Sequence, residues 1–353
     1  MKTHSVGAKR PHIVYFDVLR GLAPLFVVWI HTLTRWQGYF SQGGLFVLQE
    51  VGRWAVPIFI MISGALMLDP RRVFKLKKHA IKIVICLLAW IVIYALASLW
   101  LNPVGSRAFT LGFGLGGGAT YHLWFMYMIL ALYLLTPLLR KAAEDRRLLK
   151  YLIMLGVVFS FGLPFIERLM SLVCYRVEIP LINGYLRGGG LFTRLAGHLK
   201  LDYVTYYLLG YYLATERIQR HKRWAIYALG ILGVVVNFGL VLAQSRNGAI
   251  VGTTIDSYVN IAVLSMSAAL FLWFRRHFAQ ARKTPRIWAG MAKYSLGIYL
   301  VHVLIIRIIA KYLNVFDWEP KIMIMLLLTV VVYLLSFVIT WVLSRIPILK
   351  KIV

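Results

Sequence analysis

Ten runs of mostly apolar residues recur along the chain, near residues 13–34, 48–68, 80–101, 122–140, 151–168, 202–216, 223–243, 257–274, 292–311 and 321–344. Runs of roughly 17–25 apolar residues predict membrane-spanning helices. In hydrocarbon every backbone N–H and C=O needs an internal partner, and a helix supplies one. The expected fold class is therefore an all-α polytopic membrane protein with about ten transmembrane helices, the sixth of them short. No soluble module, coiled coil, low-complexity tract or internal repeat interrupts the pattern, so residues 1–353 are expected to form a single integral domain. It begins with a polar segment, 1–12, and has one long connection, 169–201. That connection contains RVEIPLINGYLRGGGLFTRLAGH, whose glycines and mixed charges suggest a re-entrant or lid-like loop and a contact for an acceptor.

Charge orients the helices. The chain has 40 Lys and Arg against 12 Asp and Glu, a net charge of +28. If the N-terminus is placed inside, 27 of the basic residues fall on cytoplasmic pieces, 11 fall on outer pieces, and Arg20 and Arg307 lie within spans. Basic loops stay on the cytoplasmic side, so both termini are expected there. The basic residues sit at the ends of apolar runs and no nucleic-acid-binding pattern is present, which excludes nucleic acid as a partner and leaves lipid headgroups or a phosphorylated ligand. The two cysteines, Cys86 and Cys174, offer neither a disulfide framework nor a metal site. The basic start MKTHSVGAKRPH precedes an apolar run without a small-residue cleavage site, and it is read as retained.

The first span, FDVLRGLAPLFVVWIH (16–31), carries the densest chemistry. A charge at bilayer depth costs at least about 2.5–3.5 kcal/mol, so intramembrane ionisable groups point to function. Arg20 and His31 are eleven residues apart, which puts them within roughly 20° on one helix face and about 16 Å apart along the axis. Asp17 is placed to pair with Arg20, and Pro24 removes a backbone donor between them. In one reading Arg20 snorkels to the headgroups and His31 closes the helix. In the other, a neutral His31 imidazole accepts a proton from an alcohol while Arg20 holds a phosphate or carboxylate.

The arginine, ten intervening residues and histidine of this span resemble the signature of the acyltransferase-3 family of bacterial integral membrane acyltransferases. VGRWAVPIFIMISGALML (51–68), HLWFMYMILALYLLTPLLR (122–140) and YSLGIYLVH (294–302) resemble further helices of that family, so the likeness covers almost the whole chain. The resemblance implies about ten helices in the bacterial inner membrane. It implies transfer of an acyl group, commonly acetyl and alternatively succinyl, from cytoplasmic acetyl-CoA or another acyl-CoA to a hydroxyl of an envelope glycan or lipid-linked saccharide. It also implies that Arg20 and His31 are the essential pair. No hydrolase-like domain follows the membrane region before Val353, so transfer is expected to finish within the bundle.

Other residues support either chemistry or structure. His122 opens the fourth span beside Trp124, where interfacial aromatic residues are common. Ser295, Tyr299 and His302 follow i, i+4, i+7 spacing and either line a cavity or bond between helices. Arg53 and Glu50 form an expected ion pair at the start of the second span, facing the acceptor or merely interfacial. Ser63 and Gly64 allow helices to approach closely. Arg71, Arg72 and Arg140 serve topology, and their forked guanidiniums also suit the phosphates of coenzyme A. GLGGG at 114–118 follows no strand and is no dinucleotide fingerprint. No metal is expected. The rival function class is a transporter or flippase of glycans, which would share buried charges and an aromatic cavity.

Overall fold

The computed structural model describes residues 13–36, 47–101, 121–167, 169–170, 199–246, 258–319 and 321–353. The segment 1–12, the glycine string 114–118, Cys174 and most of the 169–201 connection lie outside them. Among the described residues the chain is helical, with no strand. The helices are α1 (Val14–Leu33), α2 (Ala55–Met67), α3 (Leu76–Leu101), α4 (Trp124–Glu144), α5 (Arg146–Leu155, continued by a π-helical stretch Gly156–Gly162), α6 (Asp202–Thr215), α7 (Arg220–Arg246), α8 (Ile261–His277), α9 (Arg286–Lys293), α10 (Ser295–Tyr312) and α11 (Ile322–Leu343).

Among the described residues, 8 helical segments are long and apolar enough to cross a membrane: Val14–Trp36, Val47–Met67, Leu76–Leu101, Tyr121–Glu144, Arg146–Glu167, Arg220–Leu242, Ser295–Tyr312 and Ile322–Leu343. The other two expected spans are helical but shorter, α6 with 14 residues and α8 with 17. At 1.5 Å per residue, α6 is about 21 Å long, less than the roughly 30 Å of a hydrocarbon core.

Burial explains why the most polar spans are tolerated. α1, which carries Asp17, Arg20 and His31, runs through the interior, packed against α2, α9, α10 and α11. By contrast α3, α7 and α11 turn rows of Leu, Ile and Val outward, including Leu88, Leu232 and Leu327. The charged groups of α1 thus stay off the outward-facing surface. Side-chain hydrogen bonds to carbonyls also tie helices together across the bundle. Tyr333 donates to the Gly21 carbonyl (2.8 Å), Tyr94 to that of Leu300 (2.8 Å), and Trp90 to that of Ile352 (2.8 Å).

Two glycines set the tightest crossing. A Cβ on Gly64 of α2 would overlap the Tyr207 carbonyl of α6, and one on Gly210 of α6 would overlap the Met61 backbone of α2. Backbone lies on backbone here, as the small-residue rule for membrane helices requires. α5 starts where Asp145 accepts from the backbone N–H groups of Arg147 (2.7 Å) and Leu148 (3.3 Å), and α8 where Asn260 accepts from Ala262 (2.9 Å). These are side-chain N-caps.

Candidate functional site

α1 remains helical through Pro24. Its missing N–H leaves the Arg20 carbonyl without an intrahelical donor. Arg20 and His31 therefore keep the register read from sequence, at opposite ends of one face. The Arg20 side chain faces Asp17, Tyr133 and Arg72. Asp17 also accepts from the Thr284 hydroxyl at 2.9 Å, which ties α1 to the segment before α9.

At the other end, the partly exposed His31 ring meets residues from two other elements, the turn Tyr121–Leu123 and α10. Its Nδ1 lies 3.2 Å from the Tyr121 hydroxyl, and its ring centroid lies 5.1 Å from that of His302. His302 in turn lies 5.6 Å from His122. His302 Nδ1 lies 2.6 Å from the Tyr299 carbonyl. A carbonyl only accepts, so Nδ1 carries the hydrogen and a neutral His302 has its lone pair on Nε2. The Tyr299 hydroxyl donates to the His122 carbonyl and holds the turn that presents His122 and Tyr121. Both nitrogens of His122, Nε2 of His302 and Nη1 of Arg307 are buried without a hydrogen-bond partner among the described residues. Leaving such a group unpaired costs about 1–3 kcal/mol each, so their convergence favours a polar ligand.

Between the Arg20 and His31 levels lies a cavity of about 80 Å³, lined by Val27, Val56, Phe59, Phe125, Ser295, Leu296 and Tyr299. Val27 is seven residues after Arg20 and four before His31, on the same face of α1. Ser295 and Tyr299 thus line a cavity, and His302 extends their stripe into the histidine cluster.

Arg53 and Glu50 are paired as expected, with Nε to Oε1 at 3.0 Å, and both are buried. Asn237 donates to the second carboxylate oxygen, and Asn260 donates to Asn237 at 3.0 Å. Gln49 accepts from Arg53 (3.4 Å) and donates to the Thr34 hydroxyl (3.0 Å). The pair thereby joins the end of α1 to α7 and α8, while the guanidinium lies 5.6 Å from the centre of the Tyr258 ring.

At the basic end, Arg71 grips Asp69 with two bonds (2.9 and 3.2 Å), and Arg72 approaches the same carboxylate at 3.6 Å. Arg140 donates to the carbonyls of Asp69 (3.0 Å) and Arg72 (2.9 Å). The three arginines therefore converge on one loop. The Arg71 side chain is 82% exposed. Burial pushes the Asp69 carboxyl pKa up, but the hydrogen bonds and charge of Arg71, with Arg72 beside it, outweigh this and hold it below the usual carboxylate range. No group of three or more His, Cys, Asp or Glu suited to a metal ion occurs among the described residues.

Sequence reading missed Tyr121, Tyr94 and Asn237, and placed Arg307 within a span without giving it a role. Asn237 left a signal, a lone amide in the run VVVNFGLVL, and polar groups at such depth point to interior contacts. Tyr94 and Tyr121 left none, being two among 20 tyrosines.

A family model described as an acyltransferase domain matches residues 13–345. Neither a curated protein nor a solved structure matches the chain.

Proposed function

The chain belongs to the acyltransferase-3 family and is a multi-pass membrane acyltransferase, and from that premise we propose that it carries an acyl group, acetyl in the first instance, from acyl-CoA on the basic face to a hydroxyl of an envelope glycan or lipid-linked saccharide on the opposite face of a bacterial inner membrane. One observation carries this reading: Arg20 and His31 stand at the two ends of a single face of α1, with a cavity lined by Ser295 and Tyr299 between them.

In the proposed reaction, Arg20, with Arg71, Arg72 and Arg140 beyond it, holds the phosphates of the donor, and the pantetheine arm reaches into the bundle. Guanidiniums suit this because they fork onto phosphate oxygens. His31 Nδ1–H donates to the Tyr121 oxygen, which leaves the Nε2 lone pair free to take the acceptor's hydroxyl proton. The resulting alkoxide attacks the thioester carbonyl. Collapse of the tetrahedral adduct expels the thiolate, which takes the proton from the His31 imidazolium. In a second route His31 Nε2 attacks the thioester first and expels the thiolate; the acceptor hydroxyl then attacks the acyl-imidazole, its proton passing to the thiolate as the imidazole leaves. His122 and His302 supply buried nitrogen atoms beside the reacting centre, and Arg53 with Glu50 fixes the end of α1 that carries His31.

The test is transfer of radiolabelled acetyl from acetyl-CoA to membrane glycan lipids by the purified chain in liposomes. Wild type, His31→Ala and Arg20→Ala are compared at equal folded amounts. Loss of transfer with donor binding retained is expected for His31→Ala, and loss of donor binding for Arg20→Ala. A wild type that neither binds nor turns over acyl-CoA would overturn the reading in favour of glycan transport.

A further inference from the structure

The antiparallel pair α7 and α8 carries two cavities in line. At its basic end, a cavity of about 670 Å³ is lined by Arg217, Arg220, Arg223, Arg275 and Arg276 together with Glu216. The Glu216 carboxylate is taken by Arg146, and Arg275 is held by the carbonyls of Leu213 and Glu216. Four further guanidiniums thus face one concave space at the start of the 27-residue helix α7, which has no acidic residue in its first turn. Helix N-termini favour anions.

Along the same two helices runs an apolar groove of about 430 Å³, lined by Tyr227, Ile231, Val234, Phe238, Leu270 and Trp273 among others. Arg220, Arg223, Tyr227, Ile231, Val234 and Phe238 follow one another at three- or four-residue steps and so share a face of α7. Arg276 continues the Trp273 face of α8 in the same way. From Tyr227 to Phe238 the groove covers about 16 Å along the axis. The positive-inside tendency accounts for basic residues at this end. It does not account for their convergence on one cavity, or for that cavity's position at the head of an apolar groove.

We propose that α7 and α8 form a binding site for an anionic phospholipid, with its phosphate held by Arg220, Arg223 and Arg276 and an acyl chain laid in the groove toward Phe238. Charge at one end and hydrocarbon along the rest match that ligand better than they match free phosphate or a nucleotide, for which the groove has no use. The groove also takes in Glu50, Val51 and Trp54 ahead of α2, so its wall borders the Glu50–Arg53 pair, but the lipid assignment does not depend on the donor or acceptor assigned above.

The full-length chain, purified and stripped of lipid in neutral detergent, is titrated with a short-chain phosphatidylglycerol, with phosphatidylcholine of the same chain length, with coenzyme A and with inorganic phosphate. Binding is read from intrinsic fluorescence and thermal shift. Wild type is expected to prefer phosphatidylglycerol. Arg223→Gln/Arg276→Gln is expected to bind it roughly 30-fold more weakly, as two basic groups at a charged surface imply, and to lose the preference over phosphatidylcholine. Val234→Trp, which fills the groove, is expected to weaken both lipids. The proposal is overturned by equal affinity of wild type for the two lipids, by unchanged phosphatidylglycerol binding in either variant, or by displacement of that lipid with coenzyme A or inorganic phosphate. Should the double variant fail to fold, the wild-type preference and Val234→Trp still decide.

Discussion

The rings of His31 and His302 are 5.1 Å apart although the residues are 271 positions apart in sequence, one in the last turn of α1 and the other inside α10. The Tyr299 carbonyl fixes a hydrogen on His302 Nδ1, so a neutral His302 turns only a lone pair into the space around it. It can accept a hydrogen bond there but cannot donate one. His302→Gln replaces that ring with an amide and is expected to reduce acyl transfer by about 10²-fold, with donor affinity little changed. Parallel measurement of transfer rate and coenzyme A binding checks this, and unaltered turnover would remove His302 from the site.

Tyr121 supplies the hydroxyl that meets His31 Nδ1. Tyr121→Phe keeps the ring and deletes that oxygen. Losing a hydrogen bond that orients a base is expected to lower transfer by roughly ten-fold, with little change in thermal unfolding because Tyr121 is half exposed. A rate series over pH 6–9 should show the loss at every pH if the bond orients the ring.

Glu50 and Arg53 are a buried ion pair, and removing one member leaves the other charge uncompensated. Glu50→Gln is expected to destabilise the fold by about 3–5 kcal/mol. The double change Glu50→Leu/Arg53→Met is expected to recover much of that loss. Thermal unfolding of the three variants in one detergent provides the comparison. A double variant that is stable but inactive would show that the pair also positions His31.

Asp69 is held below the usual carboxylate range in the fold, so its contribution to stability is complete above that range and is lost as pH falls through it and lower. Wild type should therefore lose thermal stability between about pH 5 and pH 3, and Asp69→Asn should be less stable at pH 7 but flatter across the acid range. Parallel slopes for the two proteins would show that the Arg71 contact contributes nothing.

The architecture was readable because lipid imposes one rule on every span. Apolar runs located the long helices and basic islands marked their ends, but the short helix α9 falls in a stretch, 275–293, read as a basic loop. What periodicity could not show is that α6 is only 14 residues long, since that depends on where the helix starts and stops against its neighbours. The site was readable where it lies on one helix: Arg20 and His31 follow from a spacing of eleven, and Ser295, Tyr299 and His302 from a stripe. It was unreadable where it is assembled across helices. Tyr121 and Tyr94, whose ring lies 4.8 Å from that of His122, reach the cluster through tertiary packing alone, and Asn237 reaches Glu50 across 187 positions.

The crossing of Gly64 with Gly210 bears on how such a protein could open. Sliding α2 along α6 by one helical turn would bring Ile60, Tyr206 or Ala214, four residues away on the same faces, to a spot that accommodates no side chain at all. Backbone contact at this crossing thus opposes sliding of the two helices past one another. Any breathing that admits a substrate or releases a product has to take place at other seams of the bundle.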